Sequence, residues 1–322
     1  MDKGKKKRYP RDEGIYNLVQ ENEIFVFLRY LPLAALWVAK NESLWCGTGR
    51  PPKKIYDILI CLAIKRYFGK SLRRSMGLLR LLKRLGAIHV EIPCFKTLDN
   101  YQHSRAIKPY LRKLIRLTSN PLKLLEYFFS TDSTGVSTTC YSAWYDIRTR
   151  KKSKKRRHLM IHVTTGTRLN VAASLDVRAK KGEDSKILRK HVAEVARSFE
   201  VKEWSGDSAY LSRENCNAVA TIEAEPWFKL KSNTTARSKG SPAWRRMVRT
   251  FREEPETADP KYHRRSNGEA TISAKNRKFG SFVRARDKAS QENEETLAWI
   301  GYNFSVLSRA YYEYGIVPEF AM

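Results

Sequence analysis

The spacing of apolar residues changes at Pro121, and that change limits the folds open to the chain. From position 14 to about 123, apolar side chains recur at the three-and-four interval of helices. Ile55, Ile58, Leu59, Leu62 and Ala63 line one helix face after Pro51-Pro52, ending near Gly69. Leu72, Met76, Leu78, Leu79 and Leu82 give the next helix its apolar side, with Arg73, Arg74, Arg80, Lys83 and Arg84 opposite. A third helix opens at Pro93-Cys94-Phe95-Lys96-Thr97. Beyond Pro121, the stretches 127–131, 141–147, 158–165 and 169–177 read as antiparallel strands. Helices over 184–199 and 212–222 then alternate with short strands over 201–204 and 225–230, and a polar, basic loop is expected from 231 to about 258. Asp259-Pro260 reads as a helix start, and an apolar helix over 293–314 packs on the sheet. The expected fold class is α/β, a mixed sheet flanked by helices. It comprises a basic tail over 1–12, a helical segment over 13–124 and a sheet-containing domain over 125–322.

The first strand carries the residue of most chemical interest. Tyr127, Phe128 and Phe129 suit a buried strand, and Ser130-Thr131-Asp132-Ser133-Thr134-Gly135 supplies turn residues expected to stop it. Alone, Asp132 reads as an Asx turn. Two more acids change its meaning: Asp207, in Gly206-Asp207-Ser208 after the later strand, and Glu269, on the helix begun at Asp259. Tyr262, Arg265 and Glu269 lie three and four residues apart and share a helix face. If the two strands are neighbours, both aspartates emerge at one edge and the helix carries the glutamate over them. Three such carboxylates can hold two hard divalent cations, Mg²⁺ or Mn²⁺, which take oxygen ligands. A pair of metals about 4 Å apart activates the attacking oxygen and stabilises the leaving one in phosphodiester displacement. The alternative reading of the Tyr262, Arg265 and Glu269 face is a surface ion pair.

Charge names the partner class. Against 33 Asp and Glu stand 62 Lys and Arg, a net +29 with a pI near 10.0, which calls for a polyanion and most simply nucleic acid. Eight of the ten residues from Arg148 to Arg157 are basic (Arg148, Arg150, Lys151, Lys152, Lys154, Lys155, Arg156, Arg157), a phosphate-contacting hairpin. The basic helices before Pro121 fit a helix-turn-helix reader of a DNA end and a solvated helical domain equally well. The cysteines, Cys46, Cys61, Cys94, Cys140 and Cys216, show no metal-binding or disulfide pattern and are expected as reduced, mostly buried thiols. The apolar run 24–39 contains Arg29 and Pro32 and reads as a core helix rather than a membrane anchor.

Taken together, these residues resemble the DDE transposases of bacterial and archaeal insertion sequences. The resemblance covers about 126–315 and rests on Thr131-Asp132-Ser133-Thr134-Gly135, Tyr141-Ser142-Ala143-Trp144-Tyr145-Asp146-Ile147-Arg148, Gly206-Asp207-Ser208-Ala209-Tyr210 and Tyr262-x2-Arg265-x3-Glu269. It implies a ribonuclease-H-like core in which Asp132, Asp207 and Glu269 bind two metal ions. Tyr262 and Arg265 then position DNA near the cut, in an enzyme that cleaves element ends and transfers strands. It also implies a homodimer that synapses two ends, in a cytoplasmic, nucleoid-associated protein. The lysine of the signature falls at Asn276, flanked by Lys275 and Arg277, either of which is expected to reach a phosphate. No large β domain is expected between Asp207 and Glu269. The alternatives are a metal-dependent nuclease on the same fold and a noncatalytic nucleic-acid-binding protein.

Overall fold

The structure, a computed structural model, describes residues 12–40, 51–138, 148, 158–178 and 184–320. The strand expected over 141–147 and the basic run after Arg148 lie outside the described residues, and Arg148 itself is exposed.

Five helices precede the sheet: α1 (Glu13–Ala39), α2 (Ile55–Tyr67), α3 (Leu72–Arg84), α4 (Phe95–His103) and α5 (Lys108–Ser119). Asp12 caps α1 by accepting the Ile15 N–H at 3.0 Å. In α2 the expected stripe, Ile55, Ile58, Leu59, Leu62 and Ala63, is buried, and Cys61, Ile60 and Ile64 join it, so this helix is enclosed on most sides. By length and composition α1 is long and apolar enough to cross a membrane. Val19, Val26, Phe27, Leu31, Ala34, Ala35 and Val38 are buried along it.

The strands are β1 (Phe128–Ser137), β2 (His158–Gly166), β3 (Ala172–Arg178), β4 (Glu203–Gly206) and β5 (Glu225–Phe228), in the sheet order β3-β2-β1-β4-β5. The first three are antiparallel, whereas β4 runs parallel to β1 and β5 parallel to β4. Between and after them come α6 (Asp184–Val195), α7 (Arg213–Thr221), α8 (Pro242–Glu253), α9 (Pro255–His263), α10 (Ser266–Phe279) and α11 (Lys288–Tyr314).

Three expectations change. β1 does not stop at Thr131: it pairs residue by residue with β2 from Phe129 to Ser137, so Asp132 lies within a strand rather than in a turn. Threonine and serine are at home in a ladder, and here the Thr131 and Thr164 hydroxyls bond across it at 2.7 Å. The loop expected after 231 contains α8, whose Trp244, Met247 and Val248 are buried. Its start is set by Ser241, whose hydroxyl accepts the Trp244 N–H, and by Pro242 in the first turn. Finally, the helix expected from Asp259 is two helices, with Pro260 inside α9 and the break at Arg264-Arg265.

Side chains alternate across the sheet, so it has two unlike faces. Val163 and Leu175, in register with Asp132, belong to a core shared with α1, α2, α5, α10 and α11. That core runs without interruption from the helical segment to the sheet, across the expected boundary at 124/125. On the other face, Phe129 and Trp204 pack with Leu188, Val192, Val219, Trp227 and Met247 from α6, α7, β5 and α8. Cys61 and Cys216 are buried free thiols whose pKa values burial pushes up to about 12, and Cys94 is exposed.

Candidate active site

The parallel ladder between β1 and β4 ends with Thr131 opposite Gly206. Asp132 and Asp207 are the next residues on each strand, so the ladder delivers two carboxylates to one end of neighbouring strands about 4.8 Å apart. Each carboxylate is held by a local amide: Ser133 N–H donates to Asp132 Oδ1 at 2.8 Å, and Ala209 N–H to Asp207 Oδ1 at 2.5 Å. Behind the Asp207 turn, Tyr210 is fully buried, and its hydroxyl lies 3.0 Å from His162 Nδ1 on β2. A β-carbon on Gly206 would stand 3.1 Å from the ring of Phe228, its partner on β5, so glycine here allows that close approach.

The third acid arrives on α10, anchored to the sheet at its first turn. Asn267 Nδ2 donates to the Thr167 carbonyl at 2.8 Å, and Gly268 lies directly over Ser130 and Thr165. Upstream, Arg264 pairs with Glu203 on β4 and covers the Phe128 ring, its Cζ 4.1 Å from the centroid. Lys261 ties α9 to β5 through Glu225 at 2.6 Å. Sequence spacing singled out neither Gly268 nor Arg264. The only signal was position, a glycine immediately before the glutamate and a second arginine beside Arg265.

Glu269 is more than half exposed and forms an ion pair with Arg265 at 2.5 Å. Arg265 also stands over the Tyr262 ring at 5.8 Å from its centroid. Tyr262, Arg265 and Glu269 are therefore neighbours despite lying on two helices. Burial raises the pKa of the Asp132 carboxyl, as do the charges of Glu269 and Asp207, while the Ser133 amide and Arg265 oppose the rise. Burial likewise raises the Tyr262 phenol, which keeps its proton. The three acids thus share one electrostatic neighbourhood, although among the described residues no three acidic, histidine or cysteine side chains are close enough to hold one ion together.

Lys275 does not face a phosphate. It is fully buried, forms an ion pair with the equally buried Glu295, and lies 5.6 Å from the centre of the Trp299 ring. Two turns beyond Glu269 on α10, its position points into the core shared with α11. Arg277, in the last turn of α10, is exposed. His162 and Asp176 are structural. Asp176 is bound by Arg178 at 2.9 Å and Lys190 at 3.3 Å, and these cations with Arg112 outweigh its burial and hold its pKa at about 2.

The chain matches no protein-family model, no curated protein and no solved structure.

Proposed function

We propose that this chain is a DNA transposase of the DDE kind, cutting and joining strands on a ribonuclease-H-like core. The observation that carries the reading is the placement of Asp132 and Asp207 just past the last pair of the β1–β4 ladder, with Glu269 near enough for its charge to raise the Asp132 pKa, in a protein with net charge +29. The sheet order supports it, because a central β1 flanked by one antiparallel and one parallel neighbour sets two strand-borne acids side by side.

The donor set fits hard divalent cations. Its donors are carboxylate oxygens, and the burial that raises the Asp132 pKa, together with repulsion from Glu269 and Asp207, is what a cation would offset. Asp132, Asp207 and Glu269 would hold Mg²⁺ or Mn²⁺, two ions being expected. When bound, these supply an activated attacking oxygen and neutralise the leaving one.

The chain's own groups do the rest. Arg265 binds a strand phosphate and, on doing so, releases the carboxylate of Glu269. Tyr262, protonated and packed on Phe251 at 6.2 Å, orients the strand beside the acids. Exposed Arg277 and the basic run from Arg148 hold phosphates further along the duplex.

The Arg265–Glu269 pair also favours a second reading, a noncatalytic DNA-binding protein in which that pair is a plain surface contact. Incubating the protein with a supercoiled plasmid carrying the gene's flanking DNA, with and without Mg²⁺, separates them. Metal-dependent cuts at defined ends with joined products support the transposase. Scattered nicks without joining point to a nuclease, and binding without cutting to the noncatalytic reading.

A further inference from the structure

Away from the acids, a cavity of about 370 Å³ opens where the start of α3 meets the start of α11. The helix α10 separates the two places: Glu269 is in its first turn, while Phe279 at its end binds Arg66, next to Lys65 at the cavity floor. Ten helical residues put them about 15 Å apart along the axis.

Five basic side chains line the cavity: Lys65, Lys70, His103, Arg284 and Arg286. Lys65 is only 9% exposed, yet no carboxylate lies within ion-pair distance of it among the described residues. Burial lowers the Lys65 pKa against the pull of Glu294, so an anion entering the cavity would relieve the cost of enclosing the charge.

Two carboxylates, Asp99 and Glu294, also line the cavity, and both are already engaged, as is Asp287 beside it. Glu294 accepts the Arg284 and Ala285 N–H groups, Asp99 contacts Lys96 and His103, and Asp287 caps α11 while contacting His103. Two helix N-termini also converge here. Ser71 and Leu72 line the cavity at the start of α3, where the Ser71 side chain makes no capping hydrogen bond, and Ser290 lines it from the first turn of α11. The uncapped first-turn N–H groups of α3 and its helix dipole favour an anion, whereas Asp287 already caps the first turn of α11.

We propose that this cavity is a phosphate-binding site, filled by a backbone phosphate of bound DNA or by free inorganic phosphate. The exposed Lys70, Arg284 and Arg286 form the mouth, and Lys65 supplies the charge at the floor. Arg73 and Arg74, exposed in the first turn of α3, continue the basic track outwards. The assignment is independent of the role of the acids.

The test uses the full chain and two variants: Lys65→Met, which keeps an apolar stem at a buried position, and Arg286→Ala at the rim. Inorganic phosphate is titrated by calorimetry, and duplex affinity is measured across salt concentrations. Wild type and Asp132→Asn are expected to bind alike, and both variants to lose about tenfold or more in the readout that reports the occupant. If DNA fills the site, the slope of log affinity on log salt falls by about 0.9 in each variant. If free phosphate fills it, calorimetric binding weakens while that slope is unchanged. Folded variants that match the wild type in both readouts would overturn the proposal.

Discussion

Gly268 lies so close to Ser130 that a β-carbon on it would stand 3.3 Å from the Ser130 hydroxyl oxygen. One of these residues precedes Glu269, and the other stands two before Asp132 on β1. Their contact is what sets α10 down on the strand, and it leaves no room for a larger side chain. Gly268→Val is expected to lift the start of α10, costing about 1–3 kcal/mol of stability. Cleavage should fall more steeply than stability, as read by strand nicking beside thermal unfolding of the same preparation.

Asp132 carries a folding cost at neutral pH. Burial and the neighbouring acids raise its pKa above the ordinary 3.8. A carboxyl raised in this way opposes folding at neutral pH, and the penalty is relieved as pH falls through the raised value. Asp132→Asn can keep the hydrogen bond from Ser133 and is expected to melt higher than wild type at pH 7, with the gap closing on acidification. Adding Mg²⁺ or Mn²⁺ should raise the melting temperature of the wild type and leave that of the variant unchanged.

The Lys275–Glu295 pair is enclosed on all sides, and losing one partner strands the other charge. Lys275→Met and Glu295→Gln are each expected to cost about 3–5 kcal/mol in denaturant unfolding, and Lys275→Met/Glu295→Leu much less than the sum. DNA affinity of the folded double variant should equal that of the wild type, since Lys275 contacts no phosphate.

Asp176 behaves oppositely to Asp132. Arg178 and Lys190 hold its pKa at about 2, so it stabilises the fold above the ordinary 3.8 and loses that contribution as pH falls towards 2. The advantage of wild type over Asp176→Asn should be on the order of 2 kcal/mol near neutrality. Urea unfolding at a series of pH values should show it vanishing across that acid window.

Much of this was legible in the sequence because periodicity reports burial. The stripes of α2 and α3, the strands β2 to β5 and the order of elements follow the apolar spacing closely. The errors have local causes. Ser130 to Gly135 looks like a turn by composition, but cross-strand hydroxyl bonding and residue-by-residue pairing with β2 keep it extended through Ser137. The arginines of α8 masked an amphipathic helix whose apolar side is only Trp244, Met247, Val248 and Phe251. Pro260 reads as a helix start, yet Pro255 had already opened the helix five residues earlier. At the site the sequence singled out Asp132, Asp207, Tyr262, Arg265 and Glu269; the first two follow the last pair of the β1–β4 ladder, and the other three are neighbours on α9 and α10. It could not tell that Lys275 turns inward, because that depends on Glu295 in a different helix.

The most direct test of the central claim is metal-dependent DNA cleavage by Asp132→Asn, Asp207→Asn and Glu269→Gln, with duplex affinity measured on the same preparations. All three variants are expected to lose cleavage by at least a hundredfold while binding duplex as tightly as the wild type. Wild-type cleavage in any of them would contradict the assignment of these three acids as the working site.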